Sequence, residues 1–158
     1  MVEEEREFEE RVVDVNRVAK VVKGGKRFRF SATVVVGDGV SRVGIAFGKA
    51  HEVSAAVRKG AERAQRNMKT VKIVNGTIPH SVVSKCGGAR ILMKPAAPGT
   101  GIIACEPVRA VLELSGVRNI LTKSLGSTTT KNLVKATFLG LLSVKTKEEI
   151  EKIRGVKL

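Results

Sequence analysis

At 158 residues with 42% hydrophobic content, the chain is long enough for one medium domain or two small ones, each with a modest core. It carries 29 Lys and Arg against 15 Asp and Glu, a formal net charge of +14, and has no Trp, no Tyr and only five Phe. No apolar run approaches the roughly 18 residues of a membrane-spanning helix, and the acidic start is the reverse of a secretory leader, so a cytoplasmic protein with no membrane partner is expected.

The charge is unevenly distributed. Seven of the fifteen acids fall within residues 1–14, whereas residues 15–147 hold 24 Lys and Arg against five acids, a surplus of +19. Self-repulsion of that size destabilises a compact domain, and a polyanionic partner explains it; phosphate here means nucleic acid. The shortage of aromatics favours backbone and shape recognition over base stacking.

Residues 1–10 form an acidic segment with Phe8 as its large apolar side chain, either a brief helix or a mobile arm. From Arg11 to Lys23 a Val-rich alternation slips near Arg17, which predicts a strand with a bulge or strong twist. Lys23, Gly24, Gly25 and Lys26 turn the chain. A clean alternation follows over Arg27–Val36, with Phe28, Phe30, Ala32, Val34 and Val36 on one face and Arg27, Arg29, Ser31 and Thr33 on the other. After a turn at Gly37–Gly39, the next strand is expected to put Val43, Ile45 and Phe47 inward and Arg42, Gly44 and Ala46 outward. Val53, Ala56, Val57, Ala61, Ala64 and Met68 then recur at helical spacing. The first half, residues 11–69 after the acidic segment, thus reads as α, three β, α when a short leading helix is included.

Residues 70–145 are expected to form a second α+β half. It opens with a strand over Val71–Val74 and a turn at Asn75–Gly76, then strands near Ser81–Ser84 and Arg90–Lys94. Pro95, Pro98, Gly99 and Gly101 mark a long turn. A helix with Pro107 in its first turn and Gly116 past its end follows, then a strand over Val117–Thr122. Hydroxyls at Ser127–Thr130 offer N-caps for a helix whose inner face is Val134, Thr137, Phe138 and Leu141. Thr146 and Glu149 have capping-box spacing and start a terminal helix in the tail, residues 146–158.

Candidate binding residues come in three groups. Arg17, Lys20, Lys23, Lys26, Arg27 and Arg29 surround Gly24 and Gly25 with no acid among them, the combination a loop needs to approach an RNA backbone. Arg58, Lys59, Arg63 and Arg66 share a helix face on which Glu62 is the sole acid, at i,i+4 to Arg58 and Arg66. Lys123, Lys131 and Lys135 form a further basic patch. The turn of sequence KPAAPGTG from Lys94 lacks both the P-loop and the dinucleotide spacing, and few acids stand near it to hold a metal, so nucleotide catalysis is not expected. Cys86 and Cys105 match neither a redox nor a zinc pattern, and with His80 they lack paired-ligand spacing; no metal or cofactor is expected.

Several stretches together resemble a known family: VNRVAKVVKGG from Val15, FSATVVVGD ending at Asp38, FGKA from Phe47, NGTIPH from Asn75, KPAAPGTGII from Lys94, RAVLE from Arg109 and GST from Gly126. In collinear order from about Val13 to Leu142, they are similar to bacterial ribosomal protein five of the small subunit. The resemblance implies a first half like a double-stranded-RNA-binding domain and a second α+β half of the family's own type. It further implies binding to small-subunit rRNA near the junction of head and body, a part in subunit assembly and decoding accuracy, and a place on the mRNA entry path with ribosomal proteins three and four. By position, Lys23–Arg27 resembles the loop that reaches rRNA beside the spectinomycin site. Gly99, Gly101 and Arg109 resemble a surface facing ribosomal protein four, and the last helices the side approaching ribosomal protein eight. Thr129, Thr130 and Lys131 depart from the family's common pattern. Two rivals remain on the sequence alone: a free double-stranded-RNA-binding regulator, and a small-molecule kinase sharing the second half's fold.

Overall fold

The computed structural model describes residues 7–158. Its elements in chain order are β1 (Glu9–Val22), β2 (Gly25–Gly37), β3 (Arg42–Ala50), α1 (Val53–Arg66), β4 (Lys69–Thr70), β5 (Val82–Cys86), β6 (Ala89–Pro95), β7 (Ile102–Ile103), α2 (Glu106–Ser115), β8 (Ile120–Ser124), α3 (Thr130–Ser143) and α4 (Lys147–Arg154). Two four-stranded sheets result, ordered β1-β2-β3-β4 and β5-β6-β8-β7. The leading helix expected within residues 1–10 falls mostly outside the described residues, but Glu9 and Glu10 are already strand, paired with Gly37 and Val36. The register of β1 shifts between Val12 and Asp14 rather than near Arg17. Val13, the extra residue, packs against the main core, so the bulge redirects an apolar side chain inward.

Both faces of the first sheet are covered over its central part. On one, α1 lays Ala56, Ala61 and Ala64 on Ala32, Val34, Val36, Ala46 and Ala50. The small side chains set the spacing. A Cβ on Gly48 would stand 1.9 Å from the Ala56 carbonyl oxygen and one on Gly44 2.1 Å from that of Ala64, so only glycine lets the helix backbone approach this closely. The expected facing of β3 is therefore corrected: Gly44 and Ala46 lie under α1, and Val43 and Ile45 point to the opposite side.

That opposite side is equally buried. Val35, Val43 and Ile45 join Val111, Leu112 and Leu114 of α2, Leu133, Val134 and Leu141 of α3, and Ile91, Met93 and Ile120 of the second sheet in one continuous core. Helices α2 and α3 thus lie between the sheets, and the two halves of the sequence share their largest apolar cluster. Polar contacts stitch the same seam: the Gly39 N–H donates to the Leu114 carbonyl at 3.0 Å and the Val71 N–H to that of Ser41 at 2.6 Å. Arg11 donates to Glu113 at 2.6 Å, a pairing that raises the guanidinium pKa further.

The second half departs from the sequence reading where elements are short. Lys69–Thr70 is the fourth strand of the first sheet, paired with Arg42 and Val43. No strand runs over Val71–Val74; Val71 is buried, and Val74 bridges Thr77 around the Asn75–Gly76 turn, both of whose φ angles are positive (52° and 77°). The strand expected over Val117–Thr122 begins at Ile120, because the Arg118 and Asn119 N–H groups are taken by the Gly76 carbonyl. Thr129 precedes α3 without a side-chain cap, its own N–H donating to the Ser127 hydroxyl at 3.3 Å. The other helix ends follow expectation: Pro107 and Gly116 bound α2, and the capping box of Thr146 and Glu149 starts α4.

The β2–β3 turn that carries Gly39 to the seam is held by Asp38, whose Oδ1 accepts the Val40, Ser41 and Arg42 N–H groups at 2.9, 3.0 and 2.9 Å. Burial pushes this carboxyl up, but the three N–H donors and the Arg42 charge outweigh it and hold the pKa below the usual 3.8. A depressed folded-state pKa stabilises above that ordinary value and ceases to as pH falls through the lower folded one. Asp38→Ala should therefore lower unfolding stability by about 1–2 kcal/mol at neutral pH. In urea unfolding followed across pH, the gap from the unaltered protein should close only below the ordinary carboxylate range; a gap independent of pH would refute the assignment.

Candidate nucleic-acid interface

Beyond the pair Arg17 and Phe30, β1 and β2 leave the sheet as a two-stranded ribbon, because the last β2 residue that β3 reaches is Phe30, opposite Ala50. Five residue pairs lead to the turn, a projection of about 17 Å at ~3.4 Å per residue. Gly24 and Gly25 at the tip have φ of 106° and 135°, a backbone only glycine adopts without strain. Every residue from Val15 to Val21 and from Lys23 to Arg29 is exposed.

The register sorts the ribbon's cations by face. Lys20 stands opposite Arg27, next to the pair Val18 and Arg29, on the face that also carries Lys49 through its pairing with Ser31. Lys20, Arg27, Arg29, Lys49 and His51 line a shallow hollow of about 320 Å³. Lys59 of α1 joins Arg29, Lys49 and His51 in an adjoining one, where Glu52 is the single carboxylate lining it among the described residues. Arg17 and Lys26 lie on the reverse face, where the Arg17 guanidinium sits 3.8 Å from the Phe28 ring centre. Lys23 is at the tip. The six cations of the first sequence group are therefore two faces and a tip rather than one cluster. Lys49 and His51 are absent from the sequence groups, since only cross-strand pairing brings them beside Lys20 and Arg27.

The α1 cations divide as well. Arg58 and Arg66 are exposed on the helix surface, and neither pairs with Glu62 as the i,i+4 spacing suggests. Arg63 instead donates to the Phe47 carbonyl at 3.2 Å. On α3, Lys131 lies 4.7 Å from the Phe47 ring centre and Lys135 follows one turn on, whereas Lys123 is on β8 of the second sheet, opposite Leu92.

Few of the described cations are ion-paired, and the candidate groups share their lack of a carboxylate partner with residues such as Arg90, Lys94 and Arg118. Among the described residues, the salt bridges of basic side chains involve Arg11, Lys72, Arg109 and Lys147. None involves a cation of the ribbon, of α1, or of the Lys123, Lys131 and Lys135 group. Arg109 differs from them, sharing Glu113 with Arg11 at 3.7 Å and so belonging in part to the seam between the halves.

The glycine-rich turn is fixed by a residue that sequence spacing does not mark. The Asn119 Oδ1 accepts the N–H of Gly99 at 3.1 Å and of Gly101 at 3.0 Å, while the Ile120 N–H donates to the Gly101 carbonyl. The turn presents backbone N–H groups inward to that amide, which leaves no phosphate cradle. Among the described residues no three His, Cys, Asp or Glu side chains cluster as metal ligands; His80 instead accepts the Lys145 N–H at 3.1 Å, and both cysteines are free thiols. No described helix is long and apolar enough to cross a membrane.

Comparison with known proteins decides what carries this arrangement. The family described as Ribosomal protein S5, N-terminal domain, matches residues 8–72, and Ribosomal protein S5, C-terminal domain, matches residues 84–154. The chain belongs to the ribosomal protein S5 family. Small ribosomal subunit protein uS5 of Rubrobacter xylanophilus is 57% identical over 152 residues, covering 96% of this chain and 76% of that protein. The two-part α+β architecture is that of the family's N- and C-terminal domains, the first strand-rich and the second mixed.

Asn119→Ala should free the Gly99 and Gly101 amides. Hydrogen exchange at those two positions should accelerate while global stability falls by about 1 kcal/mol, the net contribution of a bond of this kind. Unchanged protection at Gly99 and Gly101 would show that another contact holds the turn.

Proposed function

We propose that this chain is a structural, non-enzymatic protein of the small ribosomal subunit that binds rRNA through the projecting ribbon and the exposed cations of α1 and α3. The observation that carries the reading is a set of cationic side chains without carboxylate partners among the described residues, placed on a ribbon too narrow to own a core. Lys20, Arg27, Arg29 and Lys49 on one face meet one phosphate strand, with Lys59 extending that contact. Lys23, Gly24, Gly25 and Lys26 bring the tip close to a second. Arg17, on the reverse face, contributes charge over an aromatic surface. Arg58, Arg63, Arg66, Lys123 and Lys131 supply further phosphate contacts.

The finer roles follow from the resemblance to the family. A ribbon that reaches between converging RNA strands suits the junction of head and body, where neutralising phosphates favours subunit assembly. Gly99, Gly101 and Arg109 are assigned to the surface facing ribosomal protein four, through which decoding accuracy and the mRNA entry path are affected. The exposed α4, whose Ile153 is 67% accessible, is assigned to the side near ribosomal protein eight. A division at residues 69–70 between an RNA-binding half and a second half fits these roles, although the two share a core.

The test is the salt dependence of rRNA binding. Replacing Lys20, Arg27 and Arg29 together with Ala should weaken binding to small-subunit rRNA and reduce the slope of log K against log salt by roughly one unit for each phosphate no longer neutralised. An unchanged slope with the fold intact would remove these residues from the interface, and equal affinity for any isolated duplex would favour a free regulator instead.

A further inference from the structure

A second surface is built for something other than a phosphate strand. β4 pairs with β3 only at Arg42 and Val43, so among the described residues the outer edge of β3 is open beyond them. Helices α1 and α3 flank that edge and enclose a groove of about 450 Å³. Its floor includes Phe47, Phe138 and Leu139, and its rim carries Arg63, Lys69 and Lys135, with no carboxylate lining it among the described residues. Leu139 is 42% exposed. Two of the protein's five phenylalanines thus line one open groove, and Lys131 covers a face of the Phe47 ring.

We propose that this groove seats a single unpaired nucleotide of the bound RNA, its base against Phe138 and Leu139 and its phosphates at Arg63, Lys69 and Lys135. The proposal rests on the reading of the chain as an rRNA-binding protein. Charge selects the occupant, because a rim of cations without an acid fits a polyanion, and an apolar floor between two helices fits the face of a base. A duplex, whose bases are stacked inside, would leave that floor unused. A peptide adding a strand to β3 would need the Phe47 carbonyl, which already accepts the Arg63 guanidinium at 3.2 Å. The scarcity of aromatics in the chain is consistent with one such contact rather than with a platform for many bases.

Chemical probing of base reactivity in small-subunit rRNA, free and with the full chain bound, tests this using Leu139→Glu and Lys135→Glu. Both positions are exposed, so the fold should persist, as circular dichroism would show. The unaltered protein should shield at least one unpaired base that both variants leave reactive. Affinity should fall about tenfold, within the range one stacked base contributes, and the protections that depend on Lys20, Arg27 and Arg29 should remain. Identical base reactivity with unaltered and variant protein, while the ribbon's protections persist, would overturn the groove assignment alone. Loss of a crosslink to a neighbouring protein with no change in base reactivity would give the groove to a protein and likewise overturn it. No protection of rRNA by the unaltered protein would remove the functional reading beneath the proposal.

Discussion

Repulsion among cations that the described residues leave without partners is the constraint on which the architecture depends. Residues 15–147 carry a surplus of +19, and the described ion pairs leave the ribbon and α1 cations unmatched. Such charges cost little when they point into water at physiological ionic strength, where the Debye length is about 8 Å. They would cost far more if packing forced them together or beneath apolar surface. The fold meets both demands by dividing the labour: a core without ionised side chains, and cations placed on projections and edges where a polyanion reaches them.

That core must be rigid enough to carry a two-stranded ribbon that has none of its own. Isolated hairpins are at best marginally stable in water. Here β1 and β2 continue directly from the ribbon into a sheet buried on both faces, by α1 through Ala–Gly contacts and by α2 and α3 through Val35, Val43 and Ile45. Arg11 and Glu113 tie the far end of β1 to α2, and Asp38 holds the turn whose Gly39 N–H meets the end of that helix. The seam between the halves is thus the base on which the RNA-facing ribbon stands. The Gly99–Gly101 turn has a separate anchor in Asn119, whereas Arg109, assigned to the same protein-facing surface, shares Glu113 with Arg11 of the seam.

Much of this is legible in the sequence because periodicity reports burial where an element is long and one face is apolar. α1 and α2 are of that kind, and so is the face of β2 beneath α1, although its other face, with Thr33 and Val35, is buried too; α4 has no buried residue and is marked by its capping box alone. The inner face of α3 is largely clear, with Val134, Thr137 and Leu141 buried and Phe138 only partly so, at the margin of the core. Val43 and Ile45 of β3 are buried as their pattern suggests, but the other face is buried as well, because glycine and alanine look like weak outward positions when their real signal is close approach of a helix. β4 and β7, two residues each, carry no period at all. The cations stand out as a group through their missing counter-charges, but their division into faces requires register. Asn119 is invisible for the same reason: nothing local links it to a turn about twenty residues earlier, and only the folded chain places its amide between Gly99 and Gly101.

The most direct measurement is amine-reactive labelling of lysines in the free protein and in intact small ribosomal subunits. If ribose-phosphate strands supply the counter-charge that the fold omits, Lys20, Lys23, Lys26, Lys49 and Lys59 should become strongly protected in the particle. Lys72 and Lys147, already paired with Glu149 and Glu151, should change least. Ribbon lysines as reactive in the particle as in free protein would contradict the account.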